Sequence, residues 1–156
     1  MGNRIPERKV FYELCGGIRF FKGSKFEFIV VPPNEVILAN PVIIGELCEE
    51  DIEKVINLLD GEYVTQIIMD NGNEDDYLCI GGGNDGLCNV FISKNDNEII
   101  YTLINSDAND SLVHKLVTGG QEGDFEDKLC VSIEMAKCVA KMYYELGQMD
   151  DSFIWE

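Results

Sequence analysis

Five short segments between residues 63 and 117 constrain this chain more than anything else in it. Residues 63–69, 77–81, 87–92, 98–104 and 112–117 are each rich in β-branched or aromatic side chains, and Asn, Asp or Gly bounds each one. Such side chains fit a pleated, half-buried surface, and the gaps between them suit turns rather than crossover helices. The spacing therefore predicts an antiparallel meander. Helical patterns flank it. Ile52, Val55, Ile56 and Leu59 recur at i, i+3, i+4 and i+7, with Glu49, Glu50 and Asp51 in the first turn and Gly61 as the stop. From the N-cap Ser132 to Leu146, positions Ile133, Ala136, Val139, Ala140 and Tyr143 share a stripe. Met135, Cys138 and Met142 widen that stripe, and Gly147 ends the helix. The expected class is α+β: an antiparallel meander sheet with two main helices packed on one face.

Upstream, residues 10–44 form apolar runs cut by Gly16-Gly17, Gly23, Pro32-Pro33 and Asn40-Pro41. Residues 17–21 and 26–31 are placed to make a hairpin over residues 22–25. A chain of 156 residues is of single-domain size. It reads as a core over residues 43–156 preceded by a β-rich extension over residues 1–42. No apolar run reaches the about 20 residues that span a bilayer, and no apolar leader opens the sequence, so the expected setting is the cytoplasm with reduced thiols. Cys79, Cys88 and Cys138 fall at positions where apolar residues belong.

Charge narrows the partners. Twelve Lys and Arg against 29 Asp and Glu give a net charge of −17. That field repels phosphate backbones and anionic lipid, so direct nucleic-acid and membrane binding are not expected, whereas a basic protein is attracted and captured faster. Metal and cofactor signals are weak. The six cysteines include no C-x-x-C pair, and His114 is the sole histidine, which argues against zinc. Asn71, Asn73 and Asp75 alternate as calcium ligands would, but Asp76 stands where an EF-hand needs glycine. Gly81, Gly83 and Gly86 match G-x-G-x-x-G, yet a strand follows them and Asp85 would oppose a phosphate, so Asn84-Asp85-Gly86 reads as a turn. His114 lies mid-strand between Leu112 and Leu116. No cofactor, metal site or catalytic residue is assigned and no enzymatic activity is expected; a small α+β enzyme with a Cys/His site, or a general protein-interaction module, are the alternatives.

In a meander, alternate loops emerge at the same end of the sheet. Loops 71–76 and 93–98 and the segment 119–128 should then share one end. That end would gather Glu74, Asp75, Asp76, Asp96, Glu98, Glu122, Asp124, Glu126 and Asp127 against Lys94 and Lys128.

From about Ile43 onward the order of elements carries specific residues. They are Leu78-Cys-Ile-Gly-Gly-Gly-Asn-Asp-Gly, Thr118-Gly-Gly-Gln-Glu, Leu129-Cys-Val-Ser-Ile-Glu-Met-Ala, Tyr143-Tyr-Glu-Leu-Gly and the closing Phe153-Ile-Trp-Glu. This pattern resembles the first-numbered immunity protein family of bacterial polymorphic-toxin systems. The chain lacks the proline that a typical member carries near Gln148–Asp150. The resemblance implies a cytoplasmic antitoxin that binds and neutralises a cognate toxin domain, with nucleic-acid deaminases among the toxins so paired. Such a toxin needs a basic cleft, which acidic loops can cover. The acidic set above would supply the carboxylates, with Tyr77 and Phe125 as buried anchors. Gly81, Gly82, Gly86 and Gly120 read as backbone necessities, and Trp155 as a residue packed under the sheet that fixes the C-terminal tail.

Overall fold

A computed structural model describes residues 17–21, 49–62, 65–70 and 76–156. Strands β2 (Gln66–Asp70), β3 (Tyr77–Gly82), β4 (Leu87–Lys94) and β5 (Ile99–Thr102) form an antiparallel run in sequence order. Cys79 lies opposite Ile68 and Phe91, while Ile80 lies opposite Ile67 and Val90, so the strands present two distinct faces. One face carries Ile67, Met69, Leu78, Ile80, Val90 and Ile92, all buried. The other carries Gln66, Ile68, Tyr77, Cys79, Asn89 and Phe91.

The first face meets helices. In α1 (Glu49–Ile56), Ile52, Val55 and Ile56 are fully buried in one cluster with that face. The principal helix is α2 (Ile133–Leu146), which adds Ala136, Val139, Ala140 and Tyr143 to the same cluster. Ser132 accepts a hydrogen bond from the Met135 amide as N-cap, and Gly147 closes the helix with φ of 69°. Lys141 of α2 pairs with Glu53 of α1 at 2.5 Å. Instead of two main helices, the described residues back the sheet with one of 14 residues and a short one of 8. The widened stripe on α2 is corrected in part: Met135 packs against the core cluster, whereas Cys138 and Met142 are exposed, the fully buried positions being Ala136 and Ala140.

Two further departures shape the site. The N-terminal strand β1 (Gly17–Phe21) pairs parallel with β2, so the sheet is mixed at that edge. The expected partner of that strand, residues 26–31, lies outside the described residues, as does the rest of the 1–42 extension. The fifth meander strand is also displaced. β6 (Val113–Thr118) leaves the main sheet and pairs with β7 (Gln121–Glu126), a strand where the sequence suggests a loop. Gly119 and Gly120, both at positive φ, make the two-residue turn between them. After β7, the chain returns through β8 (Val131–Ser132) to pair with β4 at Leu87–Cys88, beside β5 on the same edge. Trp155 bridges to Leu103 and donates its indole N–H to the Asp150 carbonyl at 3.0 Å, and Thr102 and Glu156 exchange backbone hydrogen bonds.

Candidate functional site

The β6–β7 hairpin covers part of the opposite face, which no described helix meets. Its fully buried Leu116 reaches toward Gly82, the Val117 amide donates to Asn84 Oδ1 at 2.9 Å, and the Gly120 amide donates to Thr65 Oγ1 at 2.9 Å. Gly81 permits this approach, since a Cβ there would lie 2.7 Å from Thr118 Cγ2. The turn at residues 83–86 is equally tight: Gly83 has φ of 101° and no room beside the Leu59 backbone, and Asp85 and Gly86 are also at positive φ. A strand follows directly, so these glycines serve a β-turn with no helix N-terminus for a phosphate.

Beyond the hairpin, no other described element covers this face. A cleft of about 260 Å³ is lined by Gln66, Ile68, Tyr77, Cys79, Gly81, Asn89, Phe91 and Thr118. Tyr77 and Phe91 meet edge to face, with centroids 6.1 Å apart and planes at 67°. The Tyr77 hydroxyl donates to Asn97 Oδ1 at 2.5 Å, which Ser93 Oγ also reaches at 2.9 Å. Asn89 donates through Nδ2 to the Leu129 carbonyl at 2.9 Å, leaving Oδ1 as an acceptor.

Next to Tyr77, Asp76 Oδ1 accepts from the Asn95 amide at 3.0 Å. Asn95, Asp96 and Asn97 all have positive φ, a backbone that short polar side chains tolerate best. Asp76, Tyr77 and Ser93 thus brace a left-handed turn that holds Asp96 and Glu98 exposed.

The structure divides the acidic residues that the sequence analysis grouped. Asp76, Tyr77, Asp96 and Glu98 do share one end; Glu74 and Asp75 lie outside the described residues. Segment 119–128 does not join them. The hairpin tip at Gly119-Gly120 sits by Thr65 and Thr118 by Gly81, at the opposite end, because β7 pairs with β6 rather than looping back. Glu122, Asp124 and Glu126 instead line the exposed side of β7, where Lys115 pairs with Asp124 at 3.0 Å. Phe125 alternates with them on the side of Leu116 and lies half-buried against Gly123. Asp127 turns inward: it accepts from the Asn109 amide at 2.8 Å and lies 2.6 Å from His114 Nε2. The amide bond first, and His114 second, hold its carboxyl below the usual range.

Two of the described thiols are set against ionisation. Burial pushes Cys88 up to about 12 and Cys130 up to about 11, with the Asp127 charge adding to the latter, whereas a nucleophilic thiol needs a lowered pKa. Among the described residues no group of His, Cys, Asp and Glu is arranged to hold a metal ion. No helix among them is long and apolar enough to cross a membrane. Sequence reasoning missed Phe91, Asn89 and Gln66, which are ordinary strand residues until the register sets them around one cleft.

No family profile matches the chain. Over 59 residues it is 49% identical to the immunity protein YokJ of Bacillus subtilis (strain 168). The match covers 35% of this chain and 36% of that protein, about a third of the relative's length. That partial homology supports a relation to immunity proteins.

Proposed function

We propose that this chain is an immunity protein: an antitoxin that binds and neutralises a cognate toxin domain without catalysing a reaction. The observation that carries this reading is the 49% identity to an immunity protein over 59 residues. The finer assignment, to the first-numbered family of polymorphic-toxin immunity proteins, rests on the sequence resemblance. So does a cytoplasmic setting. With a net charge of −17, the complementary partner is a basic domain, such as a nucleic-acid deaminase whose cleft must neutralise phosphates. Carboxylates then stand where the phosphates would, and neither nucleic acid nor a membrane is a direct ligand.

Two surfaces are available for that contact. The braced end with Asp76, Tyr77, Asp96 and Glu98 is the primary one, because a turn fixed before binding loses less entropy on association. Glu74 and Asp75 belong to it by sequence. Glu122, Asp124 and Glu126 on β7 form the second surface, with Phe125 beneath them. Asp127 supports the second surface through its inward bonds.

The test is calorimetric titration of the C-terminal domain encoded by the upstream reading frame, at low and moderate salt. The expected result is one-to-one nanomolar binding that weakens as salt rises. No binding at micromolar concentration overturns the reading.

A further inference from the structure

We infer that the cleft walled on one side by the Tyr77–Phe91 pair is a socket for one arginine side chain of the partner protein. That the partner is a basic toxin domain rests on the function proposed above; the arginine chemistry rests on the cleft.

Size comes first. At about 260 Å³ the cleft is smaller than the about 300–1,000 Å³ of sites that hold whole small molecules, so a single long side chain is its natural occupant. Composition selects which one. Ile68 and Cys79 offer an apolar floor for a methylene stem, and Tyr77 and Phe91 offer aromatic surface for a cation. Asn89 Oδ1 and the Gln66 amide supply neutral acceptors for N–H groups. A guanidinium is planar, weakly hydrated and rich in donors, so it suits aromatic and amide walls better than a lysine ammonium, which gives up more hydration. A carboxylate would find few donors and meet the field of a chain at −17, with Asp76 beside the aromatic wall. Rigidity adds to the argument, because the hydroxyl of Tyr77 is tethered to Asn97 and Asn89 to Leu129. Buried arginines of this kind recur among the residues that dominate protein interfaces.

The test is an amide NMR titration of the full chain with N-acetyl-arginine amide, alongside the neutral isostere N-acetyl-citrulline amide. Arginine should shift the Gly81, Asn89 and Phe91 amides with millimolar affinity, and citrulline should not. Phe91→Leu, which keeps apolar bulk without the π face, should weaken binding about five- to tenfold. Gln66→Glu, which adds a carboxylate to the lining, should tighten it and keeps the test decisive if the Phe91 variant does not fold. Equal shifts from citrulline, or shifts confined to exposed carboxylates such as Asp107 and Asp110, overturn the proposal. The β1–β2 register sets Arg19 opposite Ile68. Tighter probe binding in Arg19→Ala would therefore make the chain's own arginine the occupant and overturn it as well. In the toxin titration, wild-type binding with undiminished affinity in Phe91→Leu overturns the socket and leaves the antitoxin reading standing. Absence of wild-type binding overturns that reading, and the arginine titration still decides the socket.

Discussion

Leu116 is the side chain through which the β6–β7 hairpin grips the sheet, and truncating it isolates what that grip contributes. It is fully buried, yet it lies on the side away from α1 and α2, outside the cluster of side chains shared by those helices and the sheet. Leu116→Ala removes three carbons from a site bounded by strand backbone at Gly82, which has little freedom to close the gap. Substitutions of this type cost about 2–5 kcal/mol, and a backbone-lined site places this one near about 3 kcal/mol. Because the hairpin lies apart from the main core, the loss should fall first on its docking. Native-state hydrogen exchange at Leu116 to Thr118 and at Gly120 should accelerate by roughly a hundredfold, while amides of β3 and β4 change far less. Val113→Ala, on the same strand but 59% exposed, is the control and should shift stability by no more than about 0.5 kcal/mol. A Leu116→Ala effect below about 1 kcal/mol, or equal acceleration throughout the sheet, would refute the view that the hairpin is a separately docked unit.

Four further outcomes are expected. Cys88 and Cys130 are held protonated in the fold, so stability is intact below the ordinary thiol pKa of 9.0 and falls as pH rises from there toward about 12, where Cys88 ionises. Urea melts between pH 8 and 11 should show this, and Cys88→Ala should flatten the slope. Asp127 has the opposite sign: its lowered carboxyl stabilises the fold above the ordinary value of 3.8 and loses that effect as pH falls, so Asp127→Asn should make the acid limb of the stability profile shallower. Ser132→Ala removes the cap on α2 and should cost about 1 kcal/mol in thermal or chemical melts. Brief alkylation of the native protein, read by peptide mass, should modify exposed Cys138 well before Cys79, Cys88 or Cys130.

The helix Ile133–Leu146 was legible in sequence to its boundaries, because a serine cap and a glycine stop are local chemistry that packing does not overrule. Strands β3 and β4 were legible for a similar reason, since β-branched and aromatic residues bounded by Asn, Asp and Gly are also local signals. β7 was not. Gln121-Glu-Gly-Asp-Phe-Glu has one apolar side chain, and its extended form comes from the ladder with β6, which no count of hydrophobicity along that segment registers. The signal present was Gly119-Gly120, a two-residue turn between Thr118 and Gln121. Missing it moved Glu122, Asp124 and Glu126 to the wrong end of the sheet. The cleft was illegible for a different reason: Gln66, Gly81, Asn89 and Thr118 come from four strands, and only pairing register and the crossing of the hairpin bring them together.

That crossing has a consequence for how such a protein can change. The chain departs from β5 after Leu103, whose amide still bonds Val90 of β4, and rejoins through β8 on the same edge of β4, so the stretch between Leu103 and Val131 is an excursion that starts and ends on one rail. Residues on the outer side of that excursion can be exchanged, lengthened or recharged while the strand pairs beneath keep their register. Successive substitutions could therefore rewrite the hairpin's exposed side, with Leu116 and the Gly81–Thr118 contact as the fixed points that every revision must keep.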